Sequence, residues 1–285
     1  MKNILSIDLE SWVHLYKDIL GVEAEDASLK RKKLDDGYIV GATDSVLRLL
    51  DAYSQKATFF VVAEIYDWYP EVIKKIKGSG HEIGYHTHSH TIVKNGLMLK
   101  RELELSENFI TVFKPLGFRA PQIYITEESF SVLKQWGFQY SSSTYDDYCI
   151  SDISGIQEIP VSALSLIKAG RSKTVLPKAV RLHSMFSKIY FGSGLYLSFF
   201  GSKISYFIKH VNKKGVPAVV FIHPWQLYPP KEKMRWGRRI KILLRHPLYL
   251  FYTRNMLSSF EQILKNNRFT SFEGYFDTKS RTSRP

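Results

Sequence analysis

The sequence is short of three things, and each shortage excludes something. It has one cysteine, Cys149, in 285 residues, so no intramolecular disulfide can form and nothing calls for an oxidising compartment. It has no long apolar run. The uncharged stretch of 14 residues between Lys188 and Lys203 is broken by glycine and falls short of the ~20 apolar residues that cross a bilayer. From Ile159 to Phe260 it has almost no acid, with 18 Lys or Arg standing against Glu232 alone. The rest of the chain carries 22 basic and 26 acidic residues, so the net charge of +13 is concentrated in one part.

Such asymmetry points to an anionic partner. The basic residues interleave with aromatics, as in Arg235-Trp236-Gly237-Arg238-Arg239-Ile240-Lys241 and Leu248-Tyr249-Leu250-Phe251-Tyr252. That composition suits a segment lying on an anionic membrane surface, and equally a solvated basic face over half-buried rings. No nucleic-acid recognition motif accompanies the charge, so nucleic acid is not expected as a partner. Met1-Lys2-Asn3 runs directly into Ile4–Asp8, too brief and too soon acidic for a signal peptide. A cytoplasmic location is therefore expected, with peripheral contact at the inner face of the membrane through residues 160–260.

Short β-rich apolar runs alternate with helical patterns, the signature of βαβ units around a parallel sheet. Strands are expected at Ile4–Leu9, Ala57–Val62, Glu82–Tyr85, Gly117–Arg119, Phe138–Ser142, Gln157–Pro160, Ala218–Ile222 and Phe269–Phe272. Helices are expected from a Thr43-Asp44 cap to about Gln55, over Glu71–Lys77 after Pro70, over Lys100–Phe113, from Thr126 to Gly137, over Lys203–Asn212 and over Leu257–Lys265. Seven or eight strand–helix units in one domain, 1–285, favour a distorted α/β barrel over an open sheet. Residues around 161–202 read as a basic, aromatic-rich insertion beside the barrel mouth, and those around 230–285 as a helical extension. In such barrels the chemistry sits where strands end. Asp8, Glu10, His86, His90, Arg119 and His223 all fall at carboxyl ends of expected strands.

Four segments carry chemistry. In Gly84-Tyr85-His86-Thr87-His88-Ser89-His90, His86 and His90 are four apart, so on a helical turn both imidazoles face one way and can share a metal, with His88 pointing elsewhere. In Ser6-Ile7-Asp8-Leu9-Glu10-Ser11-Trp12, two acids leave a buried strand on one face. One can bind metal while the other takes a proton from water, since carboxylates are rarely buried unless paired or metal-bound. In Phe118-Arg119-Ala120-Pro121, an arginine at a strand end can hold a carboxylate ionised. In Val219-Val220-Phe221-Ile222-His223-Pro224-Trp225, a histidine at a strand tip can serve as general acid for a leaving amine. Taken singly, each segment also fits a purely structural role.

In this order the four segments resemble the polysaccharide deacetylases of the NodB-homology type, carbohydrate esterase family 4. The resemblance runs from Ile4 to about Leu227, and is nearest the exopolysaccharide-associated subgroup with Asp-x-Glu and His-Pro-Trp motifs. Ala57-Thr58-Phe59-Phe60-Val61, Gly80-His81-Glu82-Ile83, Gly137-Phe138-Gln139-Tyr140 and Glu158-Ile159-Pro160 match it too. The resemblance implies that Asp8 is the catalytic base, oriented by Arg119, and His223 the general acid. It implies Glu10, His86 and His90 as ligands of a divalent metal, and Pro121, Tyr124, Trp225 and Leu227 as substrate contacts. The donor types suit zinc, and the same set accepts nickel, cobalt or iron. Departures from the pattern are Leu9 between the acids, Ser11 where a second acid is usual, and Ser141 where an aspartate often follows the tyrosine. Ser141 leaves Glu158 or Asp146 to tune His223.

The implied activity is metal-dependent removal of an N-acyl group, foremost N-acetyl, from an amino sugar in a glycan. The basic half extends this to a polyprenyl-phosphate-linked saccharide. The alternatives are hydrolysis of another C–N bond on the same fold, as in an amino-sugar deformylase or ureide hydrolase, and a glycan-binding relative without catalysis.

Overall fold

The computed structural model describes residues 1–165, 188–230 and 256–282. Much of the expected insertion (166–187), about half of the expected C-terminal extension (231–255 and 283–285) and the Arg235–Lys241 and Leu248–Tyr252 stretches lie outside the described residues.

A nine-stranded, almost wholly parallel sheet organises the chain. Its strands are β1 (Asn3–Leu9), β2 (Thr58–Val61), β3 (Glu82–Tyr85), β4 (Gly117–Phe118), β5 (Tyr140–Ser141), β6 (Ser151–Ile153), β7 (Ile156–Glu158), β8 (Val219–Ile222) and β9 (Phe269–Thr270). They run in the order β8-β1-β2-β3-β4-β5-β7-β6, with β9 pairing β1 at Asn3 and Ile4. Within this sheet, among the described residues, only the β6–β7 hairpin is antiparallel. The expected distorted barrel is present as a curled half-barrel sheet. Val161–Ser162 and Gly192 bridge toward β8. Val219 donates its N–H to Ser162 Oγ (2.8 Å), Gly192 to the Ser162 carbonyl (2.9 Å) and Phe221 to the Gly192 carbonyl (2.8 Å).

Burial on both faces explains why these strands read as apolar runs. All seven residues of β1 are buried. Leu5, Ile7 and Leu9 pack into the main core shared with the helices, and the period of two turns Ile4, Ser6 and Asp8 to the other, concave side. There a second cluster gathers Ile4, Phe60, Tyr140, Ile159, Val219 and Phe272. At the amino-terminal ends of the strands Glu82 accepts from Thr58 Oγ1 (2.6 Å), Tyr140 Oη (2.6 Å) and the Glu273 N–H (2.9 Å). The helix Phe272–Thr282 follows β9 and seats Phe272 on the Tyr140 ring, 4.9 Å between centroids.

Three helix boundaries differ from the sequence reading. The helix expected to begin at Thr43 spans Tyr38–Ala52, with Gly37 in the left-handed region at its start. Thr43 is interior, and its hydroxyl donates back to the Ile39 carbonyl (2.7 Å) instead of capping. The span Lys100–Phe113 is two helices, Gly96–Leu105 and Glu107–Phe113, divided at Ser106. The last expected strand stops at Thr270 because Phe272 already begins a helix.

Gly117 of β4 has no room for a side chain, since a Cβ there would lie 2.1 Å from Tyr140 Cζ. Gly117→Ala is expected to cost about 1–3 kcal/mol through overpacking, read as a lower urea midpoint at unchanged m-value.

Candidate active site

Carboxyl ends of β1, β3, β4 and β8 are neighbours or near neighbours in the sheet, so residues far apart in sequence meet there. Glu10, one residue past β1, is 1% exposed. Its Oε1 accepts from the Trp225 indole N–H (3.0 Å) and lies 3.5 Å from His223 Nε2. Its Oε2 lies 2.7 Å from His90 Nε2, in a direction that makes no hydrogen bond, and has no hydrogen-bond partner among the described residues. Burial acts to raise this carboxyl's pKa, and the His90 and His223 charges outweigh it, leaving the group below its ordinary range.

His86 is fixed from behind, with Nδ1 2.6 Å from the Arg119 carbonyl oxygen. That oxygen can only accept, so Nδ1 carries the proton and the Nε2 lone pair is free. Burial, the largest influence, pushes the ring down to about 4 against the Asp8 charge, which acts to raise it. The ring is thus neutral near pH 7, as a metal ligand must be. The His86 and His90 rings are 5.0 Å apart at 61°.

The pair converges, but not on a helical turn. Thr87 and His90 take left-handed backbone conformations, φ 62° and 60°, costly for a β-branched threonine. The surroundings hold the bend: the Ala63 and Glu64 N–H groups donate to the Thr87 and His88 carbonyls, and Glu102 Oε2 accepts from the His88 and Ser89 N–H groups. His88 points away, toward Ser106 Oγ (3.2 Å) and Asp67 (3.8 Å).

Glu10, His86 and His90 each offer a ligand atom within 4.8 Å of the others. One carboxylate oxygen lacking a hydrogen bond and two imidazoles, one of them locked with a free Nε2, form a donor set that fits a divalent cation such as zinc.

Asp8 meets a different partner. Arg119 Nη1 reaches both its carboxylate oxygens at 3.3 Å, while Nη2 donates to Ser6 Oγ (3.2 Å) and Ser142 Oγ (3.0 Å). Arg119 is fully buried and its guanidinium lies between the Phe60 and Phe221 rings, 4.7 and 5.0 Å from their centroids. A guanidinium held so firmly keeps its carboxylate partner oriented.

His223 stacks on Trp225, 4.6 Å between centroids, and its Nδ1 meets Gln226 Oε1 at 2.8 Å. The acids expected to tune it are engaged elsewhere. Glu158 accepts from the Ser143 N–H and Thr144 Oγ1, both at 2.8 Å, and Asp146 pairs with Lys188 (2.7 Å). Of the expected substrate contacts, Trp225 donates to Glu10, Pro121 is buried at the start of a short turn, Tyr124 is half-buried and Leu227 is wholly buried in the main core.

Sequence reasoning missed a buried layer behind Glu10. Ser11 Oγ donates to Asp35, so an acid distant in sequence stands where an adjacent one was missed. The Ser11 N–H donates to His14 Nδ1 (3.0 Å), His14 Nε2 reaches Glu64 Oε1 (2.6 Å), and Arg31 clasps both Glu64 oxygens at 2.8 and 2.7 Å. Since His14 Nδ1 accepts, the ring is neutral, in line with the lowering that its burial causes.

Comparison with known proteins adds the family. Residues 33–141 match the family model for polysaccharide deacetylases. The chain carries a polysaccharide deacetylase domain. Residues 142–277 match a second family, described as a domain of unknown function (DUF3473). The chain is 36% identical over 109 residues to a peptidoglycan-N-acetylglucosamine deacetylase of Bacillus cereus, covering 37% of this chain and 51% of that protein. It is 30% identical over 105 residues to the peptidoglycan-N-acetylmuramic acid deacetylase PdaC of Bacillus subtilis, covering 35% of this chain and 22% of PdaC. The chain thus spans about half the length of the first of these relatives and less of the second. A crystal structure from Mycobacterium smegmatis assigned to the polysaccharide deacetylases superposes with TM-score 0.58 at 14% identity, over 100% of this chain and 93% of that one. The deacetylase domain therefore shares their fold.

The buried layer makes a pH prediction. Burial acts to raise Glu64, and the His14 hydrogen bond and the Arg31 pair outweigh it, bringing the carboxyl from 4.5 to about 2. A depressed carboxyl contributes stability that is complete above its unfolded value and lost as pH falls toward the folded one. Chemical denaturation is expected to show stability declining from about pH 4.5 toward 2. Glu64→Gln should remove that share of the decline and cost about 3–5 kcal/mol at neutral pH, by leaving Arg31 buried without its partner.

Proposed function

We propose that the protein is a metal-dependent carbohydrate N-deacetylase that removes an acetyl group from an amino sugar. The observation that carries this reading is the gathering of Glu10, His86 and His90 within 4.8 Å, with the Asp8–Arg119 pair and His223 beside them. The match of residues 33–141 to the deacetylase family and the activities named for the two bacterial relatives support it.

A divalent cation held by Glu10, His86 and His90, zinc first by donor type and nickel, cobalt or iron by the same set, supplies a Lewis acid for the acyl oxygen when bound. Asp8 takes the proton of the attacking water. Arg119 holds Asp8 aimed, at no entropic cost during the reaction because its guanidinium is already immobilised. The leaving amine is poor until protonated, and His223 delivers that proton from Nε2, the nitrogen that faces Glu10. Trp225 keeps Glu10 Oε1 occupied through its indole N–H, leaving Oε2 for the cation. Pro121 and Tyr124 stand as substrate contacts beside the end of β4.

The test is acetate release from N-acetylated hexosamine oligomers and lipid-linked saccharides, with bound metal measured in parallel. His86→Ala and His90→Ala are expected to abolish both metal and turnover. Asp8→Asn is expected to retain metal and lose about 10²–10⁴-fold in kcat. Full activity in Asp8→Asn refutes the base assignment, and formate in place of acetate moves the reading to a deformylase.

The substrate refinement is a saccharide presented at an anionic membrane, on a polyprenyl phosphate. No helix among the described residues is long and apolar enough to cross a membrane. The helix Ile204–Lys213 and its flanks instead expose Lys203, Tyr206, Lys209, His210, Lys213 and Lys214, with Tyr206 73% exposed. Lysines around an exposed aromatic ring are suited to headgroups. Sedimentation with phosphatidylglycerol liposomes at low salt, reversed by high salt and weakened in Lys203→Glu/Lys209→Glu/Lys213→Glu, is the expected outcome. Absence of sedimentation at low salt ends this refinement.

A further inference from the structure

We propose that Gln226 is a positioning residue whose side-chain oxygen fixes the proton of His223 on Nδ1 and so commits Nε2 to the reacting centre. The geometry carries the assignment. Gln226 Oε1 accepts the His223 backbone N–H at 3.1 Å and lies 2.8 Å from His223 Nδ1. A backbone N–H only donates, so the amide atom facing it is the oxygen and not the nitrogen. That same oxygen faces Nδ1 at 2.8 Å in hydrogen-bonding geometry, and an oxygen that only accepts requires the ring nitrogen to donate. Nδ1 is therefore the protonated nitrogen of the neutral ring. Nε2 holds the lone pair, 3.5 Å from Glu10 Oε1, and any second proton the ring takes is placed there.

Two further observations point the same way. Gln226 is wholly buried, yet its Nε2 has no hydrogen-bond partner among the described residues. A buried donor left unpaired is destabilising, and an apolar side chain of similar volume would avoid that. The retained amide is explained by the task of its oxygen. Opposite it stands Gly194, where a Cβ would come within 2.2 Å of Gln226 Oε1 and 2.8 Å of Nε2. Absence of a side chain at Gly194 is what lets the amide take its place. The tuning group is also neutral: it orients the ring and sets the tautomer without the charge that Glu158 or Asp146 would bring.

The tautomer is independent of the proposed activity, whereas its effect on turnover rests on the deacetylase reading. The experiment therefore reads both. In the metal-free full chain labelled with ¹⁵N-histidine, at a pH where the ring is neutral, His223 is assigned by the loss of its signals in His223→Gln. Wild type is expected to show the Nδ1–H tautomer. Gln226→Leu should shift the ring toward Nε2–H and lower kcat for deacetylation about 10- to 100-fold at nearly unchanged KM. Gln226→Glu should keep Nδ1–H and recover turnover. Gly194→Ala, which displaces the amide without replacing it, should reproduce the Gln226→Leu spectrum and serves if that variant does not fold. An Nε2–H tautomer in wild type overturns the proposal, as does an unchanged tautomer in both Gln226→Leu and Gly194→Ala. A wild-type protein that shows Nδ1–H but releases no acetate sinks the deacetylase reading and leaves the positioning role standing.

Discussion

The burial of Glu10 is the constraint that organises the rest. A carboxylate with 1% of its surface exposed forfeits its hydration, a cost of several kcal/mol that must be offset by charge or hydrogen bonds. The Arg119 guanidinium, between the Phe60 and Phe221 rings, is spent on Asp8. Glu10 is left with an indole N–H, the edges of His90 and His223, and an oxygen that makes no hydrogen bond among the described residues. His86, held neutral by burial and by its bond to the Arg119 carbonyl, adds a lone pair rather than a charge. The set is thus rich in donor atoms for a cation.

Two acids separated by one residue divide their roles through the sheet order. Asp8 is the last inward residue of β1, in register with Phe60 of β2, and Arg119 reaches it from the end of β4. Glu10 lies beyond the strand, where the loop after β3 and the turn after β8 approach from either side. The same spacing on a strand in the middle of a helical layer would give two carboxylates with one environment. Here it gives one paired with a guanidinium and one surrounded by imidazoles, the difference in environment that the proposed roles of proton acceptor and metal ligand call for.

What was legible in the sequence follows from the same physics. Strands buried on both faces read as apolar runs, and charged or imidazole side chains at their carboxyl ends stand out against them, so Asp8, His86, Arg119 and His223 were visible. The convergence of His86 and His90 was expected for the wrong reason. Spacing of four suggests a helical turn, while the actual device, positive φ at Thr87 and His90, leaves no trace in a pattern of apolar residues. The layer of Ser11, His14, Arg31, Asp35 and Glu64 was invisible because its members meet across up to 50 residues of separation. The segments that carry the first three include helices of only four and eight residues, too short to show a period. Gln226 escaped for a chemical reason: a neutral amide is not sought where a carboxylate is expected.

Each working side chain of the site leans on a second one. Arg119 holds Asp8 and, through its own carbonyl, His86. Trp225 holds Glu10, and Gln226 holds His223. Two of these supports, Arg119 and the His223-Pro224-Trp225-Gln226 turn, each act twice, so the machinery on opposite sides of Glu10 is coupled through few residues. Trp225 both orients Glu10 and stacks on His223. A displacement of this turn would therefore disturb Glu10 and His223 together, while leaving the Asp8–Arg119 pair between its two aromatic rings. Rigid support of this kind is what a site needs when its reacting groups must be held in place before the substrate arrives. It also explains why the turn is short and wholly enclosed from Pro224 to Leu227: a longer or looser connection would fix the two groups independently, and neither as well.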